Sequence, residues 1–186
     1  MKNFKLKITL LVVGSCLLVF SFLFFQPRNL SDELKLQVLE GEIKYASYLD
    51  SDYCIIIDYT LPVYARRLWV LNLSSDEIVL NSHVSHAWNS GILYADTFSN
   101  IVSSEYSCAG FFKTENAYES SFGKGEYKLG MRINGLETKN DNALERSIVF
   151  HCSHSPWSSG CFMTFPKTNK RIIDSTKDGS LVFVNR

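Results

Sequence analysis

The sequence has no excess of charge of either sign. Nineteen Lys and Arg balance nineteen Asp and Glu over 186 residues, so no basic surface is offered to a phosphate backbone and no nucleic acid is expected as a partner. Cysteine is sparse as well: five in the whole chain are too few for a disulfide-stapled scaffold. There is no internal repeat, no low-complexity tract and not enough length for several domains. Disorder is excluded too, since 46% of the residues are hydrophobic and only 20% charged.

What is present begins with an uncharged run, Ile8–Phe25, behind Lys2, Lys5 and Lys7. As a helix it would span roughly 27 Å, close to the hydrocarbon thickness of a bilayer. The preceding lysines predict a cytoplasmic N-terminus and an exported remainder. The small-x-small pattern read by signal peptidase is missing after the run, which favours an uncleaved membrane anchor over a removed signal. With the three lysines set aside, the body of the chain is mildly acidic.

Ser31-Asp32-Glu33 ahead of Leu34, Val38 and Leu39 predicts a short helix that runs to about Glu40, where Gly41 interrupts it. From Tyr53 onward the texture is β-branched and aromatic: YCIIIDY, RLWVLNL, EIVLNSHVSH, GILYADTF, CAGFFKT, YKLGMRI, SIVFHC and SLVFVN. Only Lys167–Thr176 has helical character in this part. The expected organisation is a tail and anchor over 1–26, a helical linker over 27–52 and a mainly β domain, sandwich or barrel-like, over 53–186.

Chemistry-bearing residues concentrate in IVFHCSHSPWSSGC, where a strand-like run ends at His151 and a short loop leads to Cys161. A thiol beside an imidazole is the minimal acyl-transfer pair, because the thiolate is the nucleophile and histidine can take its proton. Gly160 permits a tight turn ahead of the cysteine. His151, Cys152, His154 and Cys161 also place four metal-ligand types in eleven residues. However, the adjacent His151 and Cys152 would point to opposite faces of a strand, and the paired short spacings of structural zinc sites are absent. A buried cysteine with solvent-facing histidines is the plain structural alternative.

The segment resembles the signature of the L,D-transpeptidase (YkuD-like) catalytic domain, specifically its murein L,D-transpeptidase branch. In that branch a strand ending in His-Gly is followed by Ser-x-Gly-Cys, matched here by His151 and Ser158-Ser159-Gly160-Cys161. The likeness extends upstream in order: Asp58–Pro62 with Arg67–Leu73, Val84-Ser85-His86 with Asn89-Ser90-Gly91, Phe98-Ser99-Asn100 with Gly110-Phe111-Phe112. Leu129–Arg132 with Gly135-Leu136-Glu137, and Asn140–Ala143 with Glu145-Arg146, complete it.

The resemblance implies an envelope enzyme acting on peptidoglycan tetrapeptide stems without cofactor or metal, either as a transpeptidase or as an L,D-carboxypeptidase. It implies Cys161 as nucleophile, His151 as general base, Ser158, Ser159 and Gly160 as the loop that shapes the oxyanion site, and His86 as a wall of the site; Arg132, whose guanidinium can hold a carboxylate, and Ser153 are further candidate substrate-binding residues. The implied location is the extracytoplasmic side of the membrane. This chain departs from the pattern at Cys152, which replaces Gly, at Ser159 and at Phe162-Met163. Only nine residues separate His151 from Cys161. A non-catalytic, peptidoglycan-binding member is the alternative that these departures motivate.

Overall fold

The computed structural model describes residues 2–121 and 123–186. Ten strands and three α-helices follow one another as α1 (Lys2–Phe25), α2 (Asp32–Tyr45), β1 (Tyr53–Asp58), β2 (Leu68–Asn72), β3 (Glu77–Ser82), β4 (His86–Ala87), β5 (Gly110–Glu119), β6 (Leu129–Gly135), β7 (Val149–Cys152), β8 (Trp157–Ser158), β9 (Phe162–Thr164), α3 (Pro166–Thr176) and β10 (Leu181–Asn185). Eight strands form one sheet in the order β3-β2-β1-β10-β5-β6-β7-β9, and β4 pairs with β8 beside it.

Residue alternation along these strands creates two unlike faces. The inner face carries Ile55, Ile57, Val70, Phe112, Met131, Phe150, Phe162 and Val182, a single core that reaches nearly the whole width of the curled, barrel-like sheet and closes against Ile172 and Ile173 of α3. Pro166 begins that helix, where its fixed φ suits the first turn and no amide is missed. The outer face is covered over only part of its width. There α2 lays Leu34, Val38 and Tyr45 onto Cys54, Ile56, Trp69, Leu71, Leu181 and Phe183, which belong to β1, β2 and β10. Phe111 at the start of β5 still packs against that second core, and the outer face of the rest of β5 and of β6, β7 and β9 lies beyond it.

Ser31 caps α2 by accepting a hydrogen bond from the Leu34 amide at 3.3 Å. The helix does not stop at Gly41 but runs to Tyr45. Phe111 packs so closely against Gly41 that a β-carbon would collide with its ring, so the glycine serves helix-to-sheet contact and does not end the helix. The stretch GILYADTF is not a strand either. It folds around Ser90, whose carbonyl accepts from the amides of Asp96 and Thr97, while Leu93 accepts from Val63.

The membrane span expected over residues 8–25 falls within α1. Among the described residues, no helix is long and apolar enough to cross a membrane, so the expected transmembrane helix is not carried by the structure.

Candidate active site

The uncovered part of the outer face is where His151 and Cys161 meet. In the sheet register Tyr118 lies opposite Gly130, Gly130 opposite His151, and His151 opposite Met163. Two residues along the strands, Arg132 lies opposite Val149. Phe150 pairs with Phe162 on the inner face, so Cys161, the residue before Phe162, falls beside Val149 on the outer face. Nucleophile and base candidates are thus diagonal neighbours, His151 on β7 and Cys161 just ahead of the parallel strand β9, with Cα atoms about 7–8 Å apart by strand geometry. Cys152, next to His151, faces the other way, is buried and donates to the Glu126 carbonyl at 3.4 Å.

The loop before Cys161 is fixed by hydroxyl groups. Ser158 Oγ accepts the Gly160 amide at 3.1 Å and donates to the Cys161 carbonyl at 2.8 Å. Ser85 Oγ donates to the same carbonyl at 3.1 Å and accepts the Met163 amide at 2.9 Å. Gly160 has φ +122°, and a β-carbon there would press on the Tyr106 carbonyl, so this is a position that only glycine fills without strain. Its amide is already bonded to Ser158, which makes Gly160 a shaping residue of the loop; Ser159 is exposed.

Arg146 braces the loop from below, donating to the carbonyls of Ser99 and Tyr106 at 2.5 Å each. Its charge also draws the Cys161 thiol downward in pKa, as does the Val149 amide, but burial is the larger influence and leaves the thiol above its usual value. Burial pushes His151 the opposite way, below the usual imidazole value. Both shifts favour the neutral thiol and neutral imidazole over the ion pair. Among the described residues the thiol donates to the Ser147 carbonyl at 3.6 Å, and no hydrogen bond joins it to His151. Ser147 itself has φ +54°, a left-handed conformation that turns its carbonyl toward the sulfur.

A cavity of about 380 Å³ opens over β5 to β7, lined among others by Tyr118, Tyr127, Gly130, Val149 and His151. The Tyr118 ring lies across Gly130, where a β-carbon would meet its edge, and the Arg132 guanidinium sits 4.4 Å from the ring centre. Arg132 is exposed and stands on the same face as His151. Ser153 lies past the end of β7 and lines a smaller cavity of about 160 Å³ with His154, Met163 and Phe165.

The structure does not bring His86 to this groove. Its side chain is fully buried; Nδ1 takes a hydrogen bond from Arg67 at 2.8 Å, which makes Nε2 the donor to the Gly91 carbonyl, also at 2.8 Å. Burial and then the Arg67 charge lower its pKa to about 4, so the ring is neutral. Arg67 is buried too; it donates to the carbonyls of Val84 and Leu61 and lies over the Tyr59 ring at 4.7 Å. His86 is therefore a structural residue, and its neighbour Ser85 is the one that bonds to Cys161 and Met163.

Sequence reading missed Tyr118 and Ser85. A register shift between Thr114 and Ala117 reverses the alternation, so counting in twos from the inward Thr114 wrongly sends Tyr118 inward. All five cysteines are free. Among the described residues there is no group of three or more His, Cys, Asp or Glu placed to hold a metal ion.

This mainly β domain brings a cysteine and a histidine to one open face, Cys161 just ahead of β9 and His151 on the parallel strand β7. The chain belongs to the L,D-transpeptidase catalytic domain family, whose model matches residues 31–185; the match begins at the cap of α2 and takes in every strand. Among solved structures, the chain is similar to an L,D-transpeptidase from Stackebrandtia nassauensis, with 17% identity, TM-score 0.44, 84% of this chain and 69% of that one covered. It is similar to the helical cell shape determining protein Pgp2 from Campylobacter jejuni, with 10% identity, TM-score 0.50 and coverage of 74% and 49%. A mutant of an Enterococcus faecium L,D-transpeptidase gives 17% identity, TM-score 0.47 and coverage of 72% and 50%. The chain thus spans about half the length of the latter two. No curated protein matches the sequence.

Proposed function

We propose that this domain performs cysteine-dependent acyl transfer on peptidoglycan tetrapeptide stems. The observation that carries the reading is the placement of Cys161 and His151 as diagonal neighbours on the uncovered outer face, inside a domain of this family. Cys161 Sγ attacks the carbonyl that precedes the terminal D-Ala, and His151 takes the thiol proton. The same imidazolium then protonates the departing D-Ala amine, leaving a thioester. An amine acceptor completes transpeptidation; water completes an L,D-carboxypeptidase cycle. Because burial holds both groups neutral at rest, the proton moves as the sulfur attacks, and the thiol first turns from the Ser147 carbonyl toward His151. Arg132, above Tyr118, is placed to pair with a stem carboxylate.

The proposed location is the outer side of the cytoplasmic membrane, held by the uncharged run 8–25 behind its three lysines. Protease protection of the domain in intact cells, and its loss once the envelope is opened, would test that location.

The function is tested by exposing the full chain to a carbapenem and to tetrapeptide muropeptides. Wild type should gain one adduct mass and release D-Ala, and Cys161→Ala should do neither. The thiol's bond to Ser147 instead of His151 favours a second reading, a binding module without turnover. Retention of muropeptides with no adduct and no D-Ala release would select it.

A further inference from the structure

A second basic feature stands apart from the thiol. Between α3, β3 and the segment after α1 lies a cavity of about 780 Å³, the most spacious of those described, whose lining includes Arg28, Arg66, Arg171 and His83 and no acidic residue. The three guanidinium groups come from three separate parts of the chain. Pro27 to Asn29 form one wall, Arg66 precedes β2, and Arg171 lies on α3.

These groups are poorly satisfied by the protein. Arg171 donates to the Val79 carbonyl at 3.1 Å, and Arg66 reaches the Asn81 carbonyl only at 3.5 Å. The Nε atoms of Arg28 and Arg66 are buried without a hydrogen-bond partner. None of the ion pairs among the described residues involves any of the three. A buried N–H left without an acceptor is costly, and like charges gathered in one cavity repel. The protein nevertheless holds Arg28 firmly: its amide donates to Asn81 Oδ1 at 2.9 Å and its carbonyl accepts from Trp69 Nε1 at 2.7 Å. The wall is built, and the charge in it has no internal partner.

We infer that this cavity binds a phosphate-bearing ligand. A phosphate offers several acceptor oxygens in different directions and up to two negative charges, which three convergent guanidiniums match and a single carboxylate does not. The volume exceeds a bare phosphate and leaves room for the group that carries it. Two sources share this chemistry. One is an anionic lipid headgroup, since Pro27 to Asn29 directly follow the run 8–25; that source rests on the proposed anchoring, whereas the anion site itself does not. The other is a soluble phosphate compound.

The test uses the full chain in neutral detergent, titrated with inorganic phosphate and with glycerol 3-phosphate and followed by calorimetry and by the thermal unfolding midpoint. Both should bind and raise the midpoint, with sodium chloride at equal ionic strength giving no such rise. Arg66→Gln and Arg171→Gln should each weaken binding about tenfold or more, the loss of one charge-assisted contact, and leave D-Ala release unchanged. Arg171 is exposed, so its variant keeps the test open if Arg66→Gln fails to fold. No binding beyond the chloride control, or binding untouched in Arg171→Gln, overturns the inference. Reconstitution into phosphatidylglycerol and phosphatidylcholine nanodiscs, with native mass spectrometry of retained lipid, separates the sources. Preferential retention of phosphatidylglycerol that is lost in Arg171→Gln assigns a headgroup; equal retention beside intact phosphate binding assigns a soluble compound. These readouts do not pass through Cys161, so their failure is distinct from failure of the acyl-transfer reading.

Discussion

His86 and His151 both sit on short strands, His86 in the β4–β8 pair and His151 on β7 of the main sheet, yet their surroundings are opposite. The His86 ring is enclosed and has both nitrogens engaged, one by Arg67 and the other by the Gly91 carbonyl. The His151 ring is half-buried and borders an open cavity. Among the described residues the hydrogen bond of the His151 ring is a local one, with the backbone at Cys152. An imidazole committed on both sides can only hold a structure, because any proton it gained or lost would break a buried bond. One that keeps a nitrogen uncommitted can take a proton from a thiol and pass it on. Burial lowers the pKa of both, so a lowered value by itself does not separate structural from chemical histidines; the hydrogen-bond partners do.

That contrast can be broken most forcefully at the open site. Cys161→Ala should reduce D-Ala release by about 10³-fold or more, and His151→Gln by about 10²- to 10⁴-fold, each with an unfolding midpoint close to wild type. Undiminished release in either variant would remove that residue from the mechanism.

At the closed site the expected loss is in stability. Arg67→Met strips donors from the carbonyls of Val84 and Leu61 and from His86, and should cost about 3 kcal/mol in urea unfolding. A midpoint unchanged from wild type would show that this network holds nothing together.

Proton linkage separates the two histidines further. His86 titrates near 4 when folded and near 6.5 when unfolded, so the unfolded chain binds the extra proton between those values. Its contribution is complete above pH 6.5 and fades as the pH falls toward 4, an effect on the order of 3 kcal/mol. Glu42 runs in the other direction: burial raises its carboxyl to about 7, so the stability it contributes is present at low pH and lost as the pH rises from 4.5 through 7. Urea midpoints of His86→Gln should fall less steeply in acid than those of wild type, and those of Glu42→Gln should fall less on the neutral side. Identical pH profiles in all three proteins would contradict both assignments.

The smallest effect is expected at Cys152. Its thiol faces inward, opposite to His151, and Cys152→Ala should cost about 1 kcal/mol with D-Ala release unchanged. A large loss of release would mean that the two faces are not separate.

Much of this was legible beforehand. The strands YCIIID, LWVLN, VFHC and LVFVN stand within the runs that alternation and β-branching mark out, and the helix before β10 lies within one residue of its expected start. The opposition of His151 and Cys152 follows from strand geometry alone, and Gly160 was marked by its place before the cysteine. His86 was misread because a histidine beside a strand looks the same whether it points to solvent or to a buried arginine. Gly41 was misread because glycine's poor helix propensity says nothing of the Phe111 ring that packs against it.

The order of blocks ending in His151 and Ser158–Cys161 determined, by sequence alone, the family, the mainly β class and the pair that carries the proposed chemistry, since local alternation and short spacing are properties of neighbouring residues. Tertiary structure alone decided which face of the sheet α2 leaves open, that a register shift in β5 turns Tyr118 toward His151, and that Arg28, Arg66 and Arg171 converge on one cavity. Those facts depend on strands and helices far apart in the chain meeting at a particular register, and no local pattern encodes a register between segments separated by tens of residues.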